Sequence, residues 1–394
     1  MRIREITAYR AHVPLKNTIR HASHTRDASD SLIVCCRFED GTCGWGEGLP
    51  RPYVTGETIE TALAQLRETD LAAQLGGRIE GLADAVDRAR RLRIAAPSHA
   101  ARDCFGNAAR CAVELSLLDA VARRVCVPLS TVAQHVPEAA SVLQHRDRVQ
   151  YSGAITPMGT LRETLRAWLM RLYGFRQAKV KVGVAGVDDV RALARVRKWV
   201  GPGMDLRIDA NEAWSCNNLE AKLAPLLRFR ITAVEQPVPH EAVEGLAAIR
   251  PRLGLPIMLD ESLCSLSDAE RAIAGGTCDL FNIRLSKCGG FVNSLRLAAI
   301  ARGAGLGYQL GCQVGETGIL SAAGRHFACS VGGIRYLEGS YDRFLVRERL
   351  TREDVTFGRG GWAAALGGPG LGVNVDRDAL RRVTRAAENW RIDE

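Results

Sequence analysis

No stretch of the chain approaches the roughly 18 uncharged apolar residues that a membrane-spanning helix needs, which argues against a helical membrane protein. The opening residues, MRIREITAYRAHVPL, alternate like a strand and lack the apolar centre and cleavage site of a secretory signal, so an unexported, cytoplasmic protein is expected. Zinc-type spacing is missing as well. The 12 cysteines are scattered, with no CxxC pair and no Cys/His cluster, and read as buried apolar thiols in a reducing compartment. Large blocks of one charge are also lacking. The 53 Lys and Arg against 44 Asp and Glu give +9, but Arg is spread along the chain, with only short runs such as residues 88–93. That spread argues against a nucleic-acid partner and fits a bias toward anionic small substrates.

What is present is an ordinary globular composition, 46% apolar and 25% charged over 394 residues. That length suits two or three domains, or a barrel with an appendage. Residues 1–60 read as strands and a hairpin turning at Glu39-Asp-Gly41, interrupted by a polar segment, 17–28, that carries Arg20, His21, His24 and Arg26. From 56 to about 124 the pattern turns helical, most clearly at 107–123. Strands followed by helices suggest an α+β unit over 1–130.

After about residue 145 the rhythm changes. Eight short β-rich runs at 149–155, 178–182, 205–209, 231–235, 256–260, 279–285, 307–310 and 334–337 alternate with helical stretches. This rhythm suits a (β/α)8 barrel over 145–342, with an open doubly wound sheet as the alternative. The Gly-rich tail, 343–394, reads as a return segment.

Charged residues recur where these strands end. Lys179 and Lys181 close the second, Asp209 the third, Glu235 the fourth and Asp260 the fifth, and Arg284 lies near the end of the sixth. From Lys181 onward the gaps are 28, 26, 25 and 24 residues, about one βα unit each. The C-terminal strand ends of a barrel face one shared site, so three carboxylates would meet there and repel unless a cation neutralises them. All-oxygen ligation selects a hard ion, Mg²⁺ with Mn²⁺ as a substitute. Lys179 and Lys181 share one side of their strand, and two such ammonium groups depress each other's pKa, which favours a neutral base.

KVKVG, DANEAW, EQP, LDES and the trailing KCGG together resemble the enolase superfamily, in particular its muconate-lactonizing-enzyme subgroup. That subgroup also holds o-succinylbenzoate synthases, N-acylamino-acid racemases and dipeptide epimerases. GWGEG, PYVTGET and the helix NAARCAVELSLLDAVAR resemble its N-terminal capping domain, so the likeness spans most of the chain. The resemblance implies a modified (β/α)8 barrel, (β/α)7β in type, with an α+β cap completed by the C-terminal tail. It implies Mg²⁺ on Asp209, Glu235 and Asp260, and abstraction of a proton α to a substrate carboxylate through a metal-stabilised enediolate. Lys181 matches the acid/base residue. Lys179 matches the lysine that tunes it and helps hold the substrate carboxylate, and Asn211 a polar group near the metal. A homo-oligomer acting on a small carboxylate is expected, with no membrane or nucleic-acid partner.

The departures from the pattern guide the choice of reaction. The subgroup's sixth-strand Lys is Arg284 here, and Arg is a poor proton shuttle but a good fixed cation. Lys287, three residues on, falls in the opposite pleat phase and is kept as a substrate contact rather than as a second base. One-base chemistry, cycloisomerisation or syn-elimination through Lys181, is therefore favoured. Racemisation or epimerisation of N-acyl amino acids or dipeptides is the alternative, and a non-catalytic carboxylate-binding barrel the rival from another class. The seventh strand has no His, against a mandelate-racemase-like dehydratase, and 336–342 lacks the Asp-x-Asp pair of dipeptide epimerases. Glu316 reads as a substrate-side carboxylate or a cap for the helix at 317–328. His24, in a segment resembling the family's closing loop, and Tyr53, in a second loop, are further substrate contacts.

Overall fold

The computed structural model describes residues 1–20, 25–96 and 102–392. Its first three strands, β1 (Ile3–Arg20), β2 (Thr25–Phe38) and β3 (Cys43–Gly48), form an antiparallel meander. The polar segment at 17–28 is not merely a break between strands. Ile19 pairs with Arg26 and Arg20 with Thr25, so β1 and β2 extend into it, since backbone pairing does not require apolar side chains. His21 and His24 lie outside the described residues.

A helix, Asn107–Arg124, lies directly on β3. The contact explains the alternating glycines of GWGEG. A Cβ on Gly44, Gly46 or Gly48 would come within 2.1, 2.0 and 1.9 Å of the backbone of Ala120, Ala112 and Ala108. With Ser116 they occupy every fourth position, 108, 112, 116 and 120, and form one small-residue face of the helix. Glu47, between two of these glycines, points the other way and reaches the barrel. It accepts hydrogen bonds from Thr317 N–H (3.1 Å), Thr317 Oγ1 (2.7 Å) and Leu320 N–H (3.0 Å), and so holds the start of the barrel helix Gly318–Ser330.

The eight expected strands appear as β5 to β12 after a short β4 (Arg148–Gln150). They are β5 (Gly153–Ile155), β6 (Gln177–Lys181), β7 (Asp205–Asp209) and β8 (Ile231–Glu235). Then come β9 (Ile257–Leu259), β10 (Leu280–Ile283), β11 (Gly307–Leu310) and β12 (Ile334–Leu337). Their order in the parallel sheet is the chain order, with helices between them, as right-handed βαβ crossovers require. The sheet curls until its edges meet, where Ser152 donates both its N–H and its Oγ to Leu337 O, each at 2.8 Å. This is the modified barrel with an N-terminal cap, and the open doubly wound alternative is excluded. The tail returns through β13 (Trp362–Ala364), paired with β4, to β14 (Thr384–Arg391), paired with β1 at the edge of the cap sheet.

All 12 cysteines are free thiols, most of them buried. Among the described residues no helix is long and apolar enough to cross a membrane.

Candidate active site

Register brings the charged strand ends together. Lys181 pairs with Asp209 across β6 and β7, and Asp209 with Glu235 across β7 and β8. Asp260 follows β9 directly. The turn after β7 runs through positive φ at Asn211 (42°) and Glu212 (66°), a strained path of the kind found where function fixes the backbone. Gln236, just past β8, ties two strand ends. Its Oε1 accepts from Asp260 N–H at 2.9 Å and its Nε2 donates to Ser262 Oγ at 2.7 Å.

Asp209, Glu235 and Asp260 are at most 1% exposed. The side chains that neutralise them in this structure are the chain's own cations. Lys179 Nζ sits 3.2 Å from Asp209, 3.3 Å from Glu235 and 3.0 Å from Glu338. Burial alone would lower its pKa, but these three carboxylates outweigh it and hold the ammonium well above the usual lysine range. The expected depression of the Lys179 pKa by its neighbour is therefore reversed, because three anions crowd the group that Lys181 was to repel. In this arrangement its hydrogens go to protein carboxylates.

Arg284 places its guanidinium on Asp260 and 3.6 Å from Glu235, and stays protonated among them. Lys287 is fully buried and spends its three hydrogens on Asp260 O (2.6 Å), Asp260 Oδ1 (2.9 Å) and Asn282 O (2.8 Å). With no hydrogen left over, it anchors Asp260 instead of touching substrate as expected. Between Arg284 and Lys287, Asp260 is held down at about 2 against the upward push of burial. Glu235 goes the other way. Burial raises it to about 8, helped by the nearby acids and opposed by Lys179. Its Oε1 takes Asn282 Nδ2 at 2.8 Å, while its Oε2 is buried without a partner.

Lys181 is partly exposed at the end of β6, and among the described residues it has no hydrogen bond or ion pair. Asn211 donates its N–H to Asp209 Oδ1 at 3.1 Å and reaches Glu261 at 3.4 Å. Glu316 accepts Gln313 N–H at 2.6 Å and is raised to about 8 by burial, with Glu47 adding to the rise. It braces its own turn, while Thr317 provides the helix cap. Tyr53 accepts a 2.7 Å bond from Arg26, whose guanidinium also lies over the ring.

Arg207 was missed by the sequence reading, and Glu338 was weighed there only as a stand-in for the absent Asp-x-Asp pair. Arg207 is fully buried inside the barrel, 4.5 Å over the Tyr336 ring and 2.5 Å from Glu338. Burial pushes Glu338 up, but Lys179 and Arg207 outweigh it and hold the carboxyl at about 2. The signal was available. An arginine inside the apolar run of DLRID shares the face of Asp209, two residues on, and a buried guanidinium demands an acid.

The trio offers only carboxylate oxygens, the donor set of a hard divalent ion, and the bare Glu235 Oε2 is one unclaimed ligand atom. In chemistry and location the residues fit Mg²⁺. As the side chains stand, however, among the described residues no three acidic or other ligand groups close on one point. Lys179 and Arg284 lie against them and supply part of the neutralising charge from the chain itself.

Comparison with known proteins gives consistent matches. A sequence profile described as "Mandelate racemase / muconate lactonizing enzyme, N-terminal domain" matches residues 3–132, and one described as "Enolase C-terminal domain-like" matches 160–379. The chain is 29% identical to the N-succinyl-L-Arg/Lys racemase of Bacillus cereus over 98% of both chains. It is 28% identical to muconate cycloisomerase 1 of Rhodococcus opacus, over 95% of this chain and 96% of that one. A crystal structure of the dipeptide epimerase from Cytophaga hutchinsonii, complexed with Mg and the dipeptide D-Ala-L-Val, superposes with a TM-score of 0.84. It shares 25% identity and covers 99% of this chain and 100% of that chain.

Proposed function

The chain belongs to the mandelate racemase/muconate lactonizing enzyme family of the enolase superfamily and has isomerases among its relatives; from that premise we propose that it racemises or epimerises an N-acylated amino acid or a dipeptide at the carbon α to its carboxylate. The observation that carries the reading is the bundle of strand-end acids, Asp209, Glu235 and Asp260, beside the uncommitted amine of Lys181. The racemase and the dipeptide epimerase among the relatives support this substrate class over the cycloisomerase that Arg284 alone had favoured.

In this reading Asp209, Glu235 and Asp260 would hold Mg²⁺, which when bound polarises a substrate carboxylate and stabilises charge that develops on it. Lys181 takes the α-proton from one face. A water completes inversion by giving a proton to the other face, and the hydroxide left behind is neutralised by the protonated Lys181. Its neighbour Lys179 stays charged and fixes the acids, and Lys287 and Gln236 hold Asp260 in place from behind. The partly exposed end of β6 gives the Lys181 amine access to a ligand above the strand ends.

A second reading rests on Arg284. A guanidinium held protonated against Asp260 does not exchange protons, which suits a one-base cycloisomerase or lyase. The test is to incubate the protein and Mg²⁺ with N-succinyl amino acids, dipeptides and dienoic dicarboxylates, then separate the products by chiral chromatography. Inversion of an N-succinyl amino acid or dipeptide is expected. A lactone or alkene from a dicarboxylate, without any inversion, overturns the first reading in favour of the second.

A further inference from the structure

We propose that Arg284 is a built-in competitor for the divalent ion, its guanidinium occupying part of the acid cluster until an ion displaces it. The proposal rests on the reading of Asp209, Glu235 and Asp260 as ion ligands and adds a role for a residue that the reading leaves idle.

Five of the six oxygens in the trio already have partners. Asp209 Oδ1 accepts Asn211 N–H at 3.1 Å and Asp209 Oδ2 faces Lys179 at 3.2 Å. Glu235 Oε1 is shared by Asn282 at 2.8 Å and Lys179 at 3.3 Å. Asp260 Oδ1 faces Lys287 at 2.9 Å and Asp260 Oδ2 the Arg284 guanidinium. Only Glu235 Oε2 is bare.

The three cations differ in how easily they yield. Lys287 is fully buried with three acceptors and is fixed. Lys179 can leave Asp209 and still keep both oxygens of Glu338, at 3.0 and 3.1 Å. Arg284 has no second contact of that kind already made outside the trio among the described residues. Its second ion-pair partner, Glu235 at 3.6 Å, is itself an ion ligand, and its Nε is buried without a partner. Outside the trio it has only acids that it does not yet touch, chiefly Glu261 with its unpartnered Oε2. An arriving ion therefore breaks the Arg284–Asp260 pair outright. The freed guanidinium then has Glu261 Oε2 as an unclaimed acceptor. Charge-assisted arginine–carboxylate pairs are among the stronger hydrogen bonds, so this one sets a threshold for ion entry.

The test measures Mn²⁺ binding to the metal-free full chain, by the electron paramagnetic resonance signal of the free ion, for the wild type, R284Q and R284K. R284Q should bind Mn²⁺ about tenfold or more tightly, since each factor of ten corresponds to about 1.4 kcal/mol. R284K keeps the charge but loses the fork and its reach, so direct competition predicts an affinity between the other two. If R284K binds like the wild type while R284Q binds tighter, general charge repulsion explains the effect and the direct contact is refuted. Equal affinity in all three proteins refutes the competition and leaves the ion site standing. Binding by none of them, or undiminished binding in a D209N control, overturns the ion reading and this proposal with it. Thermal unfolding without metal confirms that each variant folds, and added Mn²⁺ should raise the melting temperature of R284Q more than that of the wild type.

Discussion

Glu338→Gln removes one negative charge from the barrel interior without changing side-chain size. The carboxylate is only 7% exposed and faces Arg207 at 2.5 Å and Lys179 at 3.0 Å. Its pKa is held at about 2 against an ordinary 4.5, and at 1.36 kcal/mol per unit the native state gains about 3 kcal/mol from the charged form. A folded pKa below the unfolded one places that stability above pH 4.5 and removes it as the pH falls toward 2. The amide of Gln keeps one acceptor oxygen but leaves Arg207 and Lys179 short of an anion. The variant should therefore lose about 3 kcal/mol in urea unfolding at neutral pH without metal, and the gap to the wild type should narrow in acid. Replacing both partners, as Arg207→Met with Glu338→Leu, should recover part of the loss, because an apolar pair carries no unpaired buried charge, although Lys179 still lacks one partner. A loss in Glu338→Gln of less than about 0.5 kcal/mol, the range of an ordinary surface change, would refute the account of the barrel interior.

Other consequences follow from single contacts. His326 is buried, its Nε2 has no partner, and burial lowers its pKa to about 4 from 6.5. The unfolded chain then binds the extra proton first, so stability falls by about 3 kcal/mol between pH 6.5 and 4, and unfolding of His326→Gln followed across that window should show a flatter acid limb. Glu47→Ala strips the acceptor from Thr317 N–H, Thr317 Oγ1 and Leu320 N–H, and should cost about 2 kcal/mol or more in denaturant unfolding. Asp209→Asn should weaken Mg²⁺ binding about tenfold or more by calorimetry, since ion affinity follows ligand charge.

The barrel was legible because each strand ends an apolar run at a regular interval, and β6 to β8 appear within one residue of the expected spans. The acids were legible for the same reason, since strand-end position alone fixes which side chains share the mouth of a barrel. Less was readable in what those side chains do to each other. Periodicity puts Lys179 and Lys181 on one face, and only the curl of the sheet brings Glu338, 159 residues further on, to within 3.0 Å of Lys179. The reversal of the Lys179 pKa and the partner of Arg207 both depend on that closure. The extension of β1 to Arg20 escaped detection because a hairpin arm held by backbone pairs shows no apolar pattern.

The central claim is that Lys181 removes a proton α to a carboxylate beside Asp209, Glu235 and Asp260. Proton NMR in D₂O, with the wild type and Lys181→Met each given Mg²⁺ and a pool of N-succinyl amino acids and dipeptides, tests it directly. The account predicts that the α-proton signal of at least one compound disappears with the wild type and persists with Lys181→Met. Undiminished exchange in the variant would contradict the account.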